Sequence, residues 1–256
     1  MKTPFVDKDS IVRQIWGKAD TVLFIFAGAA AEFALNKAVD WLYFTGRLPA
    51  DPLGRLFSTV SYSSQILFSD EDSALKAIDH ITAIHSGVEK SRGMQIPDWA
   101  YRDVLFLLID YSIRSFELLE RKLTEKEKAE VFRVFYRIGS RMNLTGIPGD
   151  YTNYVAMRED HLQQNLMSSK FTIDLYRQYR KHLGWLRYVI LKQVQLVLVP
   201  DTVKRLLPIG KFSWIKPLVS IYKFFRLIKV EKVFKMALLP NAYKAQVLKM
   251  DMAESR

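Results

Sequence analysis

The sequence predicts an all-α fold, one globular multi-helix domain, and three observations carry that reading. Apolar residues recur at spacings of three and four along nearly the whole chain. Strict alternation of apolar and polar residues between turn signals, the mark of half-buried strands, is hard to find. Helix-opening and helix-stopping residues stand at the ends of the periodic stretches. With 49% hydrophobic and 13% aromatic residues, the chain can build a core without a disulfide or structural metal. No Gly/Ser/Pro-rich linker, low-complexity tract or internal repeat divides it. Three stretches are expected: an N-terminal arm over 1–19, a helical domain over 20–200, and a basic helical tail over 201–256 packed on that domain.

The elements follow in order. Asp20 to Phe44 reads as one long apolar helix whose small patch, Ala27-Gly28-Ala29-Ala30-Ala31, allows close backbone approach and suits a tight helix crossing better than a cofactor contact. A turn at Gly46 to Ala50 precedes Asp51-Pro52, a capping residue with proline at the first helical position, opening a helix to about Phe68. Ser69-Asp70-Glu71-Asp72 reads as a capping box for a helix to about Lys90. Pro97-Asp98 opens the next, through Leu123, and Thr124 with Glu127 caps another ending near Asn143. Thr145 to Asp150 is a turn, and helices follow over about 151–168, 171–184 and 185–198. Pro200, Pro208, Pro217 and Pro240 cut the tail into shorter pieces.

Composition removes several functions. The absence of cysteine excludes thiol nucleophiles, iron–sulfur ligation, Cys-based zinc sites and covalent c-type haem attachment. Residues 1–10 lack the apolar core of a signal peptide, so a cytoplasmic protein, peripheral at most to a membrane, is expected. The longest uncharged stretch, Leu56 to Ser69, holds five serines and is shorter than the roughly 18–20 apolar residues of a span. No dinucleotide fingerprint, Walker loop, zinc-protease helix or nucleophile elbow is present.

Four histidines remain as transition-metal ligands: 80, 85, 161 and 182. On a helical wheel, Ala74, Ala77, Ile78, Ile81, Ile84 and Val88 form an apolar stripe with His85 near its centre. His80 lies about 140° away on the polar border, so the two cannot grip one metal from a single face. His85 points inward, either as a ligand or as a core histidine bonded to a backbone carbonyl. On the preceding helix Arg55, Thr59, Tyr62 and Ile66 share a face edged by Ser58 and Ser63, opposite Leu56, Phe57, Val60, Leu67 and Phe68. Such a helix, uncharged after Arg55, is either covered on both sides with its hydroxyls lining a pocket, or simply serine-rich and amphipathic. Asp103, Asp110, Arg114, Glu117 and Arg121 fall on one stripe of mixed sign, read as a solvated, salt-bridged face. Ser112 sits on the inner side of that helix among Leu105, Leu108, Ile109 and Phe116 as a further pocket candidate.

Asp51-Pro-Leu-Gly-Arg55 leading into Ser58-Thr59, then Ile84-His85-Ser-Gly-Val88, Leu123-Thr-Glu-Lys-Glu127, Gly139 to Met142, Gly146-Ile-Pro148 and Leu238-Leu-Pro240 together resemble the MpaB-type and latex-clearing (rubber) oxygenase catalytic domain, from about Asp20 to Pro240. The resemblance implies an all-α domain enclosing a b-type haem, with dioxygen as co-substrate. It makes His85 the axial iron ligand, and puts Arg55 and Thr59 on the oxygen-binding side, donating to oxygen or to a haem carboxylate. Ser58, Tyr62 and Ser112 complete the expected haem surroundings. Ser58 stands where latex-clearing members carry a lysine, and their distal glutamate is assigned to no position here, Glu32 and Asp40 being only nearby acids. A lipophilic, unsaturated or isoprenoid-like small molecule is the implied substrate. The competing reading is a non-enzymatic helical lipid- or partner-binding protein on the same scaffold; a non-haem metal enzyme is a third.

The formal charge of +11 is concentrated late, because residues 201–256 carry 12 Lys and Arg against 4 Asp and Glu. Trp214, Phe224, Phe225 and Phe234 are interleaved with lysines and Arg226 there, a mixture that suits an anionic membrane surface. No recognised nucleic-acid motif accompanies the charge, which argues against nucleic acid.

Overall fold

The computed structural model describes residues 2–46, 50–210, 213–215, 219 and 221–223, without the side chains of 52, 53 and 55–57. The Leu238-Leu-Pro240 motif, most of the basic tail and the Arg55 side chain therefore lie outside the described residues. The fold is all-α, as expected. Among the described residues there are ten helices: α1 (Ile11–Trp16), α2 (Ala19–Phe33), α3 (Asp40–Phe44), α4 (Pro52–Leu67), α5 (Glu71–Arg92), α6 (Asp98–Leu119), α7 (Glu125–Arg141), α8 (Tyr151–Gln164), α9 (Lys170–Leu198) and α10 (Asp201–Leu206). Among them none is long and apolar enough to cross a membrane.

Local chemistry opens these helices where the sequence indicates. The Asp51 carboxylate accepts from Gly54 N at 2.8 Å, and Thr124 and Glu127 cap α7 reciprocally. At α5 the cap is Asp70, which accepts from Ser73 N, and not Ser69. The shift has a tertiary cause: Ser69 O accepts from Phe5 N, Glu71 N donates to Thr3 O, and Pro4 bridges Asp70, so residue 69 pairs with the N-terminal segment. That segment buries Phe5, Val6, Ile11, Val12, Ile15 and Trp16.

The long helix expected over 20–44 is two helices. Between them the backbone serves neighbours: Ala34 O accepts from Thr172 Oγ1 at 2.7 Å, Leu35 O from Met167 N, and Lys37 N donates to Asn165 O. A continuous helix would consume these groups internally. The small patch of α2 packs on α6 so closely that a Cβ at Gly28 would lie 2.3 Å from Tyr111 Cδ1. In α9 the expected division after residue 184 is real, because Gly184 adopts φ 74 and ψ 172, a conformation open essentially to glycine alone.

Candidate active site

A cavity of about 1360 Å³ runs between α2, α3, α4, α5, α6, α7 and the second half of α9. Its walls are mainly apolar, with Ile81, Ile84 and Val88 from α5, Leu105 and Leu108 from α6, and Leu183 and Leu191 from α9 among the lining residues. Ordinary small-molecule pockets occupy roughly 300–1,000 Å³, so this one has room for more than one ligand. Among the described residues His85 is the only histidine on its wall, and Asp20 and Arg187 are the only charged ones.

The α5 stripe puts His85 on this wall because residues three and four apart on a helix share a face. Tyr101 of α6 stands edge-on to its ring, with centroids 5.3 Å apart and planes at 63°. The Tyr101 hydroxyl donates to Glu89 Oε1 at 3.1 Å, and the same oxygen accepts from Ile96 N at 2.9 Å. One carboxylate thus holds the tyrosine and the loop between α5 and α6, and burial pushes the Tyr101 phenol well above its usual range. His80 is exposed, lies 6.0 Å from the Tyr62 ring and does not line the cavity. The inward and outward assignments of the two histidines both hold.

On α4 the face read as hydroxyl-lined does turn toward the cavity: Thr59, Tyr62, Ser63 and Ile66 line it. Ser58 is half-buried and does not. Ser112 does not line it either. It is fully buried, accepts from Trp16 Nε1 at 3.1 Å and donates to Leu108 O at 2.6 Å, which ties α1 to α6. Of the sequence-predicted residues, the structure therefore brings Thr59, Tyr62 and His85 to one cavity.

The stripe of Asp103 and Asp110 requires a correction, since α8 covers it. Arg158 donates to Glu32 through Nη1 at 2.5 Å and Nη2 at 2.6 Å, and to Asp110 at 3.0 Å. Tyr111 donates to Glu32 at 2.9 Å, and Arg114 to Asp110 at 2.8 Å. The flanking carboxylates raise the Arg158 guanidinium well above its usual value against the opposing effect of burial, so it stays charged. One turn along α8, His161 pairs with Asp103, which also accepts from Asn36 at 2.9 Å and Asn165 at 3.2 Å. Asn36 lines the cavity, so this buried polar layer backs one of its walls. Sequence reasoning missed the layer; the signal was Arg158 and His161, three apart on a neighbouring helix and able to answer two acids seven apart. Among the described residues no three His, Asp or Glu side chains converge as a metal-ligand set.

Comparison with curated proteins and with solved structures returned no match. The family model described as "ER-bound oxygenase mpaB/B'/Rubber oxygenase, catalytic domain" matches residues 13–228, a span that takes in α2 to α10 and every wall of the cavity described above. With most of its length inside that match, the chain belongs to this oxygenase catalytic-domain family.

Proposed function

We propose that the chain is a haem b-dependent oxygenase of a lipophilic, unsaturated or isoprenoid-like substrate, in which His85 would hold the iron. The observation that carries the proposal is the place of His85, a single histidine on the wall of a large apolar cavity inside an oxygenase catalytic domain. The residues present fit the group: an imidazole is a common haem ligand, the volume accommodates a macrocycle beside an apolar molecule, and Arg187 brings a cation to the wall for a haem carboxylate. When bound, haem supplies the iron that activates dioxygen.

The chain's own residues do the rest. Tyr101, anchored by Glu89, sets the orientation of the His85 ring. Thr59 and Tyr62 offer hydroxyl groups on the α4 wall. Arg55, one helical turn before Thr59, joins them in the proposal as a donor to dioxygen or to a haem carboxylate. The apolar walls exclude water and bind the substrate by burying its surface. Ser58 and Ser112 have no cofactor role in this proposal, since neither lines the cavity.

The test is turnover of haem-loaded protein with isotopically labelled dioxygen and a series of unsaturated isoprenoids of graded length. Label should enter the product with wild type and not with His85→Ala. Haem-loaded wild type that consumes no oxygen across the series, yet still binds these molecules, would make the chain a lipid-binding protein on an oxygenase scaffold.

A further inference from the structure

The first half of α9 turns a basic stripe outward. Ile173, Arg177, Arg180 and Lys181 are all exposed and, at about 100° per residue, fall within a sector of about 100° of the helix. The stripe ends at the Gly184 break, where Trp185 is 69% and Leu186 61% exposed, the two most exposed large hydrophobic side chains among the described residues. From 175 to 200 the chain carries five basic residues and no acidic one. The residues flanking this corner, Leu183 and Arg187, turn the other way and line the cavity. Trp214 and Ile221, exposed by 45% and 50%, line it as well. The corner is therefore the outside of the cavity's rim, and it carries exposed indole and isobutyl groups beside the exposed cations of Arg177, Arg180 and Lys181.

We infer that the Trp185-Leu186 corner docks on an anionic lipid bilayer, with Arg177, Arg180 and Lys181 over the headgroups. Tryptophan favours the interface because its ring is apolar and its N–H can remain hydrated, and each nearby base adds attraction to anionic lipid. Charge complementarity selects this occupant over a second copy of the chain, whose own corner would be equally positive. Docking here sets the rim of the cavity against the phase in which a lipophilic molecule is concentrated. The inference draws its purpose from the proposed lipophilic substrate, while its geometry depends on neither haem nor turnover.

The full-length protein is sedimented with vesicles of phosphatidylcholine alone and with added phosphatidylserine. Binding to the anionic vesicles only, weakened by salt, is expected, and Trp185→Ser with Leu186→Ser should lower the partition coefficient at least tenfold. Replacing Arg177, Arg180 and Lys181 with glutamine should lower it by roughly a hundredfold at low salt, at about 1 kcal/mol per charge. Trp185→Phe, which keeps the apolar bulk, should retain binding and lose most of the fluorescence quenching by brominated lipid expected of wild type, since Trp185, at 69%, is more exposed than Trp214, at 45%. Unchanged binding in the serine variant overturns the inference. So does a concentration-dependent dimer that the same variant abolishes, which would put a second copy on this corner.

Discussion

Replacing Arg158 with methionine probes the buried layer that backs the cavity. The substitution keeps an unbranched apolar stem and removes the guanidinium of a side chain that is 7% exposed beside Glu32 at 3%. Asp110 would keep Arg114 at 2.8 Å, but Glu32 would retain only the Tyr111 hydroxyl among the partners described above. The cost falls on a carboxylate that lies among α2, α6 and α8, out of reach of water. Breaking a buried ion pair from one side typically costs about 3–5 kcal/mol, a large share of the roughly 5–15 kcal/mol that holds a domain together. In a domain of this size each kcal/mol moves the melting temperature by about 2–4 °C, so a fall of roughly 6–20 °C is expected. Thermal unfolding of wild type, Arg158→Met, Glu32→Gln and the double variant measures the fall, and urea titration of the same four measures the free energy. The double variant should lose no more than the arginine variant alone, because Glu32→Gln removes the buried charge that Arg158→Met leaves unpaired. A loss below about 1 kcal/mol in Arg158→Met would refute the argument that this pair is buried and unscreened. The effect should reach the cavity, since α2 carries Glu32 on one face and Ala29, Ala30 and Phe33 on the cavity wall.

Three further outcomes are expected. Gly28→Ala places a methyl group 2.3 Å from the Tyr111 ring and should cost at least about 1–3 kcal/mol as overpacking, read in the same denaturation series. Gly184→Ala meets no atom within 4 Å, so its cost, about 1–3 kcal/mol, comes from the backbone alone; a neutral effect would show that the break in α9 relaxes freely. Hydrogen bonds from Arg121, with help from the Thr124 backbone, lower the Glu127 carboxyl from 4.5 to about 2. Its contribution is therefore complete above pH 4.5 and disappears as pH falls through about 2. Glu127→Gln should melt below wild type at neutral pH, with the gap closing progressively below pH 4.5; a gap independent of pH contradicts the assignment.

Much of the fold was legible because its signals are local. Asp51 and Thr124 announce helices through contacts within a single turn, and Gly184 marks a break that only its backbone conformation permits. The inward direction of His85 and the hydroxyl face of α4 followed from helical periodicity, which survives packing. The interruption after Phe33 was not legible, because the groups that hold it, Thr172, Met167 and Asn165, come from residues far along the chain while the apolar pattern runs through without a pause. Asp103 and Asp110 misled for a related reason. A mixed-charge stripe looks the same whether water or another helix completes it, and only the packing of α8 distinguishes the two. Ser112, placed correctly on the inner side of its helix, met Trp16 there and not the cavity.

Haem ligation by His85 is read from the absorption spectrum of the whole chain reconstituted with haem, recorded beside His85→Ala and an exposed control, His80→Ala. The account predicts a Soret band at one haem per chain in wild type and His80→Ala, and its loss or displacement in His85→Ala. A Soret band unchanged by His85→Ala, or none after reconstitution of folded wild type, would contradict it.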